Sequence, residues 1–140
     1  MSACDPPDRR TIPFPTPHGG CSTLADESES YANHASDCLQ YAHESLADGA
    51  IDEAGGYVAH ARYHANGAIE AHRLVEYYAT CIEHEAETGL CAPLELAAMA
   101  RERLQAERAA ERARVVKAEL PALDEQIERV RGAQVSVCHA

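Results

Sequence analysis

Residues 50–88 read AIDEAGGYVAHARYHANGAIEAHRLVEYYATCIEHEAET, and this stretch decides the fold. Small and apolar side chains, with one histidine among them, recur at alternating steps of three and four residues, the spacing of one helix face. We call these positions the central seam: Ile51, Ala54, Val58, Ala61, Ala65, Ala68, His72, Val75, Ala79, Ile82 and Ala86. The spacing predicts one helix over residues 50–88 that packs against other helices along its length. Gly55 and Gly56 predict either a kink or a close approach by a neighbouring helix.

A tight turn precedes this helix and fixes the direction of the helix before it. Residues 22–47 carry small or apolar side chains at the same spacing, most clearly from Tyr31 to Ala42, which predicts a first helix. Gly49 suits the end of that helix because glycine adopts the left-handed backbone conformation without a steric penalty. So short a connection predicts an antiparallel hairpin of two long helices.

A third helix is predicted over residues 93–131, where Pro93 suits the first helical position. Proline inside a helix removes a backbone hydrogen bond, so Pro121 predicts a kink near residue 121. Residues 132–140 are predicted to fray. The apolar face of this helix runs through Met99, Ala106, Ala109, Ala113, Val116, Leu120, Leu123, Ile127 and Val130.

The composition favours an all-α protein with a thin core. The chain has 140 residues, of which 27 are alanine and only 23 are Leu, Ile, Val or Phe. Alanine is the strongest helix former, and its small side chain buries little area. We therefore predict a single helical domain over residues 22–131, arranged as a three-helix bundle. Residues 1–21 contain five of the seven prolines and are predicted to be a disordered tail.

Charge is distributed unevenly along the chain. Residues 1–91 hold 15 acidic and 4 basic side chains, whereas residues 92–140 hold eight of each, for a net charge of −11. Such an excess of negative charge argues against direct binding to nucleic acid. There is no run of 18 apolar residues and no basic segment ahead of an apolar N-terminal run. We therefore expect a cytoplasmic protein that does not bind membranes.

The predicted hairpin brings several potential metal ligands to one level. His60 and His64 are four residues apart on one helix, and folding about Gly49 places residue 34 near residue 64. A transition metal such as Zn, Ni, Co or Cu is one interpretation, since imidazole, carboxylate and thiolate groups suit these ions. The alternative is a set of solvated histidines. The candidate ligands are His34, Asp37, Cys38, His60 and His64.

The cysteines and the catalytic motifs are less informative. Six cysteines lack any C-x-x-C spacing, which favours free thiols over a disulfide framework or a paired-cysteine metal site. No Ser-His-Asp pattern, phosphate-binding glycine loop, Glu-x-x-His or His-Glu-x-x-His motif is recognisable. The sequence therefore leans away from an enzyme, and no cofactor is expected apart from the metal of the alternative interpretation.

The favoured function is a non-enzymatic interaction or assembly protein that acts through its alanine-rich, coiled-coil-like seams. Thin seams bury little area, and the second helix is longer than the first, so a homo-oligomer, most simply a dimer, or a protein partner is expected. The residues predicted to form this interaction seam are Ile51, Val58, Ala61, Ala65, Val75, Ile82, Leu120, Leu123 and Ile127.

A third interpretation rests on the acidic side chains of the hairpin. Their charge suits an inhibitor that mimics nucleic acid and occupies a basic groove on a partner, although such a surface more often serves to keep a protein in solution. The residues concerned are Asp26, Glu27, Glu29, Asp37, Glu44, Asp48, Asp52 and Glu53.

Overall fold

The computed structural model describes residues 23–89 and 93–139, with side chains over 23–89 and 96–135. The described residues form three α-helices: α1 (Leu24–Ala47), α2 (Ile51–Glu87) and α3 (Pro93–His139). The predicted all-α class and the three long helices are confirmed. The tail predicted over residues 1–21 lies outside the described residues.

Local capping sets the start of α1. Thr23 has an extended backbone, and its hydroxyl oxygen accepts a hydrogen bond from the backbone N–H of Asp26 at 3.0 Å. This bond satisfies one of the donors that a helix N-terminus leaves without an intrahelical partner. Asp26 and Glu27 lie in the first turn, where carboxylates interact favourably with the helix dipole.

The turn between α1 and α2 has the left-handed glycine that the sequence predicts. Gly49 has φ of +78°, and the backbone N–H of Ala50 donates to the carbonyl of Ser45 at 2.8 Å. This geometry reverses the chain within three residues, so α2 runs antiparallel to α1. A buried contact between the helices fixes their register: the Ser28 hydroxyl donates to the Ala68 carbonyl at 2.9 Å.

The third helix returns along both members of the hairpin and closes a three-helix bundle. Arg62 of α2 pairs with Asp124 of α3 at 2.9 Å, and residues further along α2 pair with earlier residues of α3, so these two helices are antiparallel. Gln105 donates to Asp26 at 2.8 Å and Arg112 donates to Asn33 at 2.9 Å, so α3 is parallel to α1.

The predicted apolar faces meet in the interior of this bundle. The central seam is buried from Ile51 to Ala79, apart from the half-buried His72. Tyr31, Leu74, Leu120 and Leu123 are the largest of the fully buried apolar side chains around it. Most of the remaining core is alanine, which lets three long helices approach closely but buries little area per residue. The core is therefore long and thin, as the composition predicts.

The close approach of a neighbouring helix, predicted as one alternative at Gly55 and Gly56, requires correction. A Cβ atom added to Gly55 or Gly56 would meet nothing within 4 Å, so no helix approaches closely there, and α2 runs through both as one helix. The helix α3 runs through Pro121 as one helix, as predicted, and the kink at this residue stays a prediction. Pro121 is exposed.

The C-terminal end of α3 also differs from the prediction. The helix continues to His139, whereas the sequence predicted an end near residue 131 and fraying beyond it. No proline follows Pro121, and Gly132 is the last glycine in the chain. The sequence therefore contains no residue after Gly132 that would force the helix to end.

Candidate functional site

The structure brings two of the five predicted metal ligands together. The imidazole rings of His34 and His64 are stacked, with their centroids 5.2 Å apart and an interplanar angle of 30°. Tyr31 and Tyr63 pack against His64 with ring centroids 5.8 Å and 5.4 Å away. The pairing of residues 34 and 64 is the one that folding the chain about Gly49 predicts.

The other three candidate ligands do not join this pair. Asp37 and His60 are exposed, and Cys38 is half-buried against the core. Within residues 23–89 and 96–135, no three His, Cys, Asp or Glu side chains are grouped so that they could hold a metal ion.

The Cys38 thiol has little nucleophilic character. Cys38 is half-buried and Cys81 is buried, and neither forms a disulfide. Burial, together with the neighbouring Asp37 carboxylate, raises the pKa of the Cys38 thiol above 9.0. Because the thiolate is the nucleophile and the metal ligand, a thiol that stays protonated at neutral pH does not suit either role.

The residues predicted as an interaction seam line the inside of the molecule. Ile51, Val58, Ala61, Ala65 and Val75 of α2 are buried against the other two helices of the same chain. The three seam residues of α3, Leu120, Leu123 and Ile127, are buried in the same core, whereas Ile82 is half-buried beside it. A partner therefore does not reach these side chains while the bundle is closed.

The exposed apolar side chains lie instead mainly on α3. Leu96, Leu104, Val115 and Val135 of this helix are 36–56% exposed, and among residues 23–89 and 96–135 the other large hydrophobic residues of comparable exposure are Tyr41 and Tyr63. Leu104 and Val115 share one helix face because they are eleven residues, or about three turns, apart. We define this face as the α3 outer face, consisting of the exposed residues Ala97, Arg101, Leu104, Arg108, Glu111, Val115, Ala118 and Ala122.

The spacing of the α3 outer face repeats the pattern of a packed helix. Its eight members follow one another at alternating steps of four and three residues, which is the spacing of a coiled-coil interface. Three of the eight are charged, and only two are large and apolar. Sequence reasoning missed this face because the more apolar seam of the same helix masks it, although the step pattern was present in the sequence.

An open groove of about 470 Å³ borders this face where α3 meets α1. Arg101, Leu104, Arg108 and Arg112 line the α3 side of the groove, and Glu29 lies on the α1 side. Hydrogen bonds from Gln105 to Asp26 and Glu29, and from Arg112 to Asn33, hold the two helices together along it. The groove therefore has a rigid base and a predominantly basic edge.

The acidic side chains of the hairpin do not all face solvent. Glu27 is only 4% exposed, and Asp26 and Glu29 both accept hydrogen bonds from Gln105. Asp52 lies 3.8 Å from Arg131. Glu29 and Asp52 are exposed despite these contacts, and four more acidic residues of the predicted mimic are exposed as well: Asp37, Glu44, Asp48 and Glu53. The interpretation as a nucleic-acid mimic stays a prediction, with a smaller exposed set than the sequence suggested.

Comparison of the chain with protein-family models, with curated proteins and with solved structures finds no match. Among the described residues, no helix is both long and apolar enough to cross a membrane.

Proposed function

We propose that this chain is a non-enzymatic helical interaction protein that binds its partner through the α3 outer face. The observation that carries the proposal is the exposure of Leu104 and Val115, 46% and 56%, on one face of a helix whose other face is packed. Exposed apolar side chains aligned over three turns are typical of an interface between helices. The proposed role is the interaction role predicted from the sequence, but its location is the α3 outer face and no longer the predicted interaction seam.

The filled interior supports this location. A protein that assembles through its predicted seam would expose Val58, Val75 or Leu120 to a partner, but all three are buried within one chain. Binding through those residues would require the bundle to open and the core to be lost. A surface that is already exposed needs no such rearrangement, because most interfaces move little on binding.

The chemistry of the α3 outer face also fits an interface. Arg101 and Arg108 flank Leu104 on a face that carries small residues elsewhere. Arginine is enriched at protein interfaces because its planar guanidinium group forms several hydrogen bonds and its aliphatic part packs on apolar surface. The hairpin, by contrast, carries the whole net charge of −11, so the hairpins of two copies repel each other in solution.

Site-specific photocrosslinking tests this proposal. A benzoylphenylalanine residue would replace Leu104 in the full chain, and a matched control would replace Tyr41, which has the same 46% exposure on α1. We expect irradiation in cells to give a discrete adduct, identified by mass spectrometry, from position 104 and none from position 41. Equal labelling from both positions, or no adduct from position 104, would contradict the proposal.

We propose a second candidate function, transition-metal binding, because the His34 and His64 rings lie in contact. Zn²⁺, Ni²⁺, Co²⁺ and Cu²⁺ all accept imidazole ligands, although stable protein sites usually supply three or four donors. If the pair binds metal, stoichiometric Zn²⁺ raises Tm, and His64→Ala abolishes the increase. The control is His84→Ala on the same helix, which is exposed and should preserve the increase. An identical Zn²⁺ response in both variants would exclude the pair as the site.

A further inference from the structure

We propose that the partner of the α3 outer face is a second copy of this chain. Two copies would pair antiparallel through this face, around a twofold axis that passes between residues 109 and 110 of each α3. This inference rests on the proposed function and specifies its partner. A twofold axis is the simplest closed arrangement, since the same surface then serves both copies.

The apolar residues select the register. In an antiparallel pair of helices, advancing along one helix corresponds to moving back along the other. If Leu104 of each copy packs against Val115 of the second copy, the two largest exposed apolar side chains of the face cover each other. The same register places Ala97 opposite Ala122 and Arg101 opposite Ala118, so small residues occupy the outer layers. These contacts follow the layer pattern of an antiparallel coiled coil.

The charged residues support the same register independently. With Leu104 opposite Val115, the next layer inward places Arg108 of one copy opposite Glu111 of the other, and the symmetry repeats this pair. Both side chains are exposed in the single chain. At the edge of the same interface, Glu107 of one copy comes close to Arg114 of the other. Opposite charges therefore meet in the register chosen by apolar packing alone.

Other registers and the parallel orientation do not bring both the apolar and the charged residues into favourable contact. Shifting the antiparallel pairing by seven residues in one direction places Leu104 opposite Arg108, and shifting it in the other places Val115 opposite Glu111. A parallel pairing places Arg108 against Arg108 and Glu111 against Glu111, which brings like charges together. The pattern of the face thus favours one orientation and one register.

The rest of the bundle leaves room for this pairing. The face lies opposite the buried residues of α3, so a second copy does not disturb the core. The groove beside Leu104 and Arg108 is open to solvent and offers space for the side chains of a second copy. Because only two large apolar side chains per copy are covered, the dimer should be reversible and concentration-dependent.

Charge reversal tests the register directly. The two single variants are Arg108→Glu and Glu111→Arg. They are also combined in one chain, and the two single-variant proteins are mixed with each other. Glu53→Arg on α2 is the control for a charge change at another exposed site. Sedimentation velocity would report the mass, and circular dichroism would verify that each variant keeps its helicity. We expect each single variant to dimerise about tenfold or more weakly than the unmodified chain, because like charges then meet twice per dimer.

The combined variant and the mixture should both recover dimerisation, since each restores two opposite-charge contacts. The Glu53→Arg control should dimerise like the unmodified chain. If both single variants dimerise normally, or the mixture stays monomeric, the proposed register is wrong. If the unmodified chain stays monomeric at every concentration, self-pairing is overturned. A discrete adduct to a different protein from position 104 would then leave the proposed function intact, whereas its absence would remove both.

Discussion

At the scale of single residues, Glu76 of α2 organises the charged contacts between α2 and α3. Its carboxylate accepts two hydrogen bonds from the Arg103 guanidinium, from Nε at 3.3 Å and from Nη2 at 2.8 Å. Nη1 of Arg103 donates to Glu83, and Nε2 of His72 lies 3.5 Å from Oε1 of Glu76. One arginine of α3 therefore holds two carboxylates of α2, next to a half-buried histidine.

This contact makes a prediction about pH. The hydrogen bond from Arg103 is the largest cause that lowers the pKa of Glu76 below 4.5, so folding favours the charged carboxylate. The resulting stabilisation is fully present above pH 4.5, the ordinary value, and is lost as the pH falls through the lowered pKa of the folded state. Glu76→Gln should therefore reduce the free energy of unfolding by about 0.5–1 kcal/mol at neutral pH, the range for a solvent-screened pair.

Urea unfolding followed by circular dichroism, at neutral pH and at successively lower pH, measures this effect. The difference between the unmodified chain and Glu76→Gln should shrink as the pH falls below 4.5. Glu53→Gln, an exposed change on the same helix, serves as the control. A difference that stays constant down to the acid transition would show that the Arg103 contact does not stabilise the fold electrostatically.

At the scale of the helices, two glycines allow the effect of backbone conformation on stability to be measured without an effect of packing. A Cβ atom at Gly56, inside α2, meets nothing within 4 Å, and the same holds at Gly49 in the turn. Of these two glycines, only Gly49 has a positive φ, +78°. Gly56→Ala should therefore stabilise the protein by about 1 kcal/mol, the difference in helix propensity. Gly49→Ala should destabilise it by about 1 kcal/mol, because a Cβ disfavours the left-handed conformation.

Thermal and chemical unfolding of these two variants provides a matched comparison. Both substitutions add the same methyl group to an uncrowded site, so the opposite signs arise from the backbone alone. If Gly56→Ala destabilised α2, the glycine pair would have a role in bending or packing that the geometry does not show.

The helices also show how far sequence reasoning extends. Periodicity and the Gly49 turn predicted the hairpin and the meeting of His34 with His64, because both follow from helical geometry. The third helix with Pro121 inside it was also predicted, whereas its extension beyond residue 131 to His139 was not, because no residue of the sequence marks that end. Whether Asp37 and His60 face solvent depends on the rotation of each helix about its axis. A small error in the assumed register changes that rotation by tens of degrees, so the sequence does not predict their exposure.

At the scale of the whole molecule, the main question is which apolar face packs within one chain and which contacts a partner. The sequence showed that seams exist, but a seam within one chain and a seam between two chains have the same periodicity. The structure resolves this for residues such as Val58 and Leu120, which are buried within one bundle. The less apolar α3 outer face, six of whose eight residues are small or charged, remains available to a partner.

Sedimentation velocity and circular dichroism over one dilution series test this account most directly. If the seams are filled within one chain and association uses only the α3 outer face, the mass should fall from about twice 15.1 kDa to 15.1 kDa on dilution while the helical signal per residue stays constant. Loss of helicity in step with loss of mass would mean that the seams require a second copy. A mass of 15.1 kDa at every concentration would show that the α3 outer face does not pair with itself.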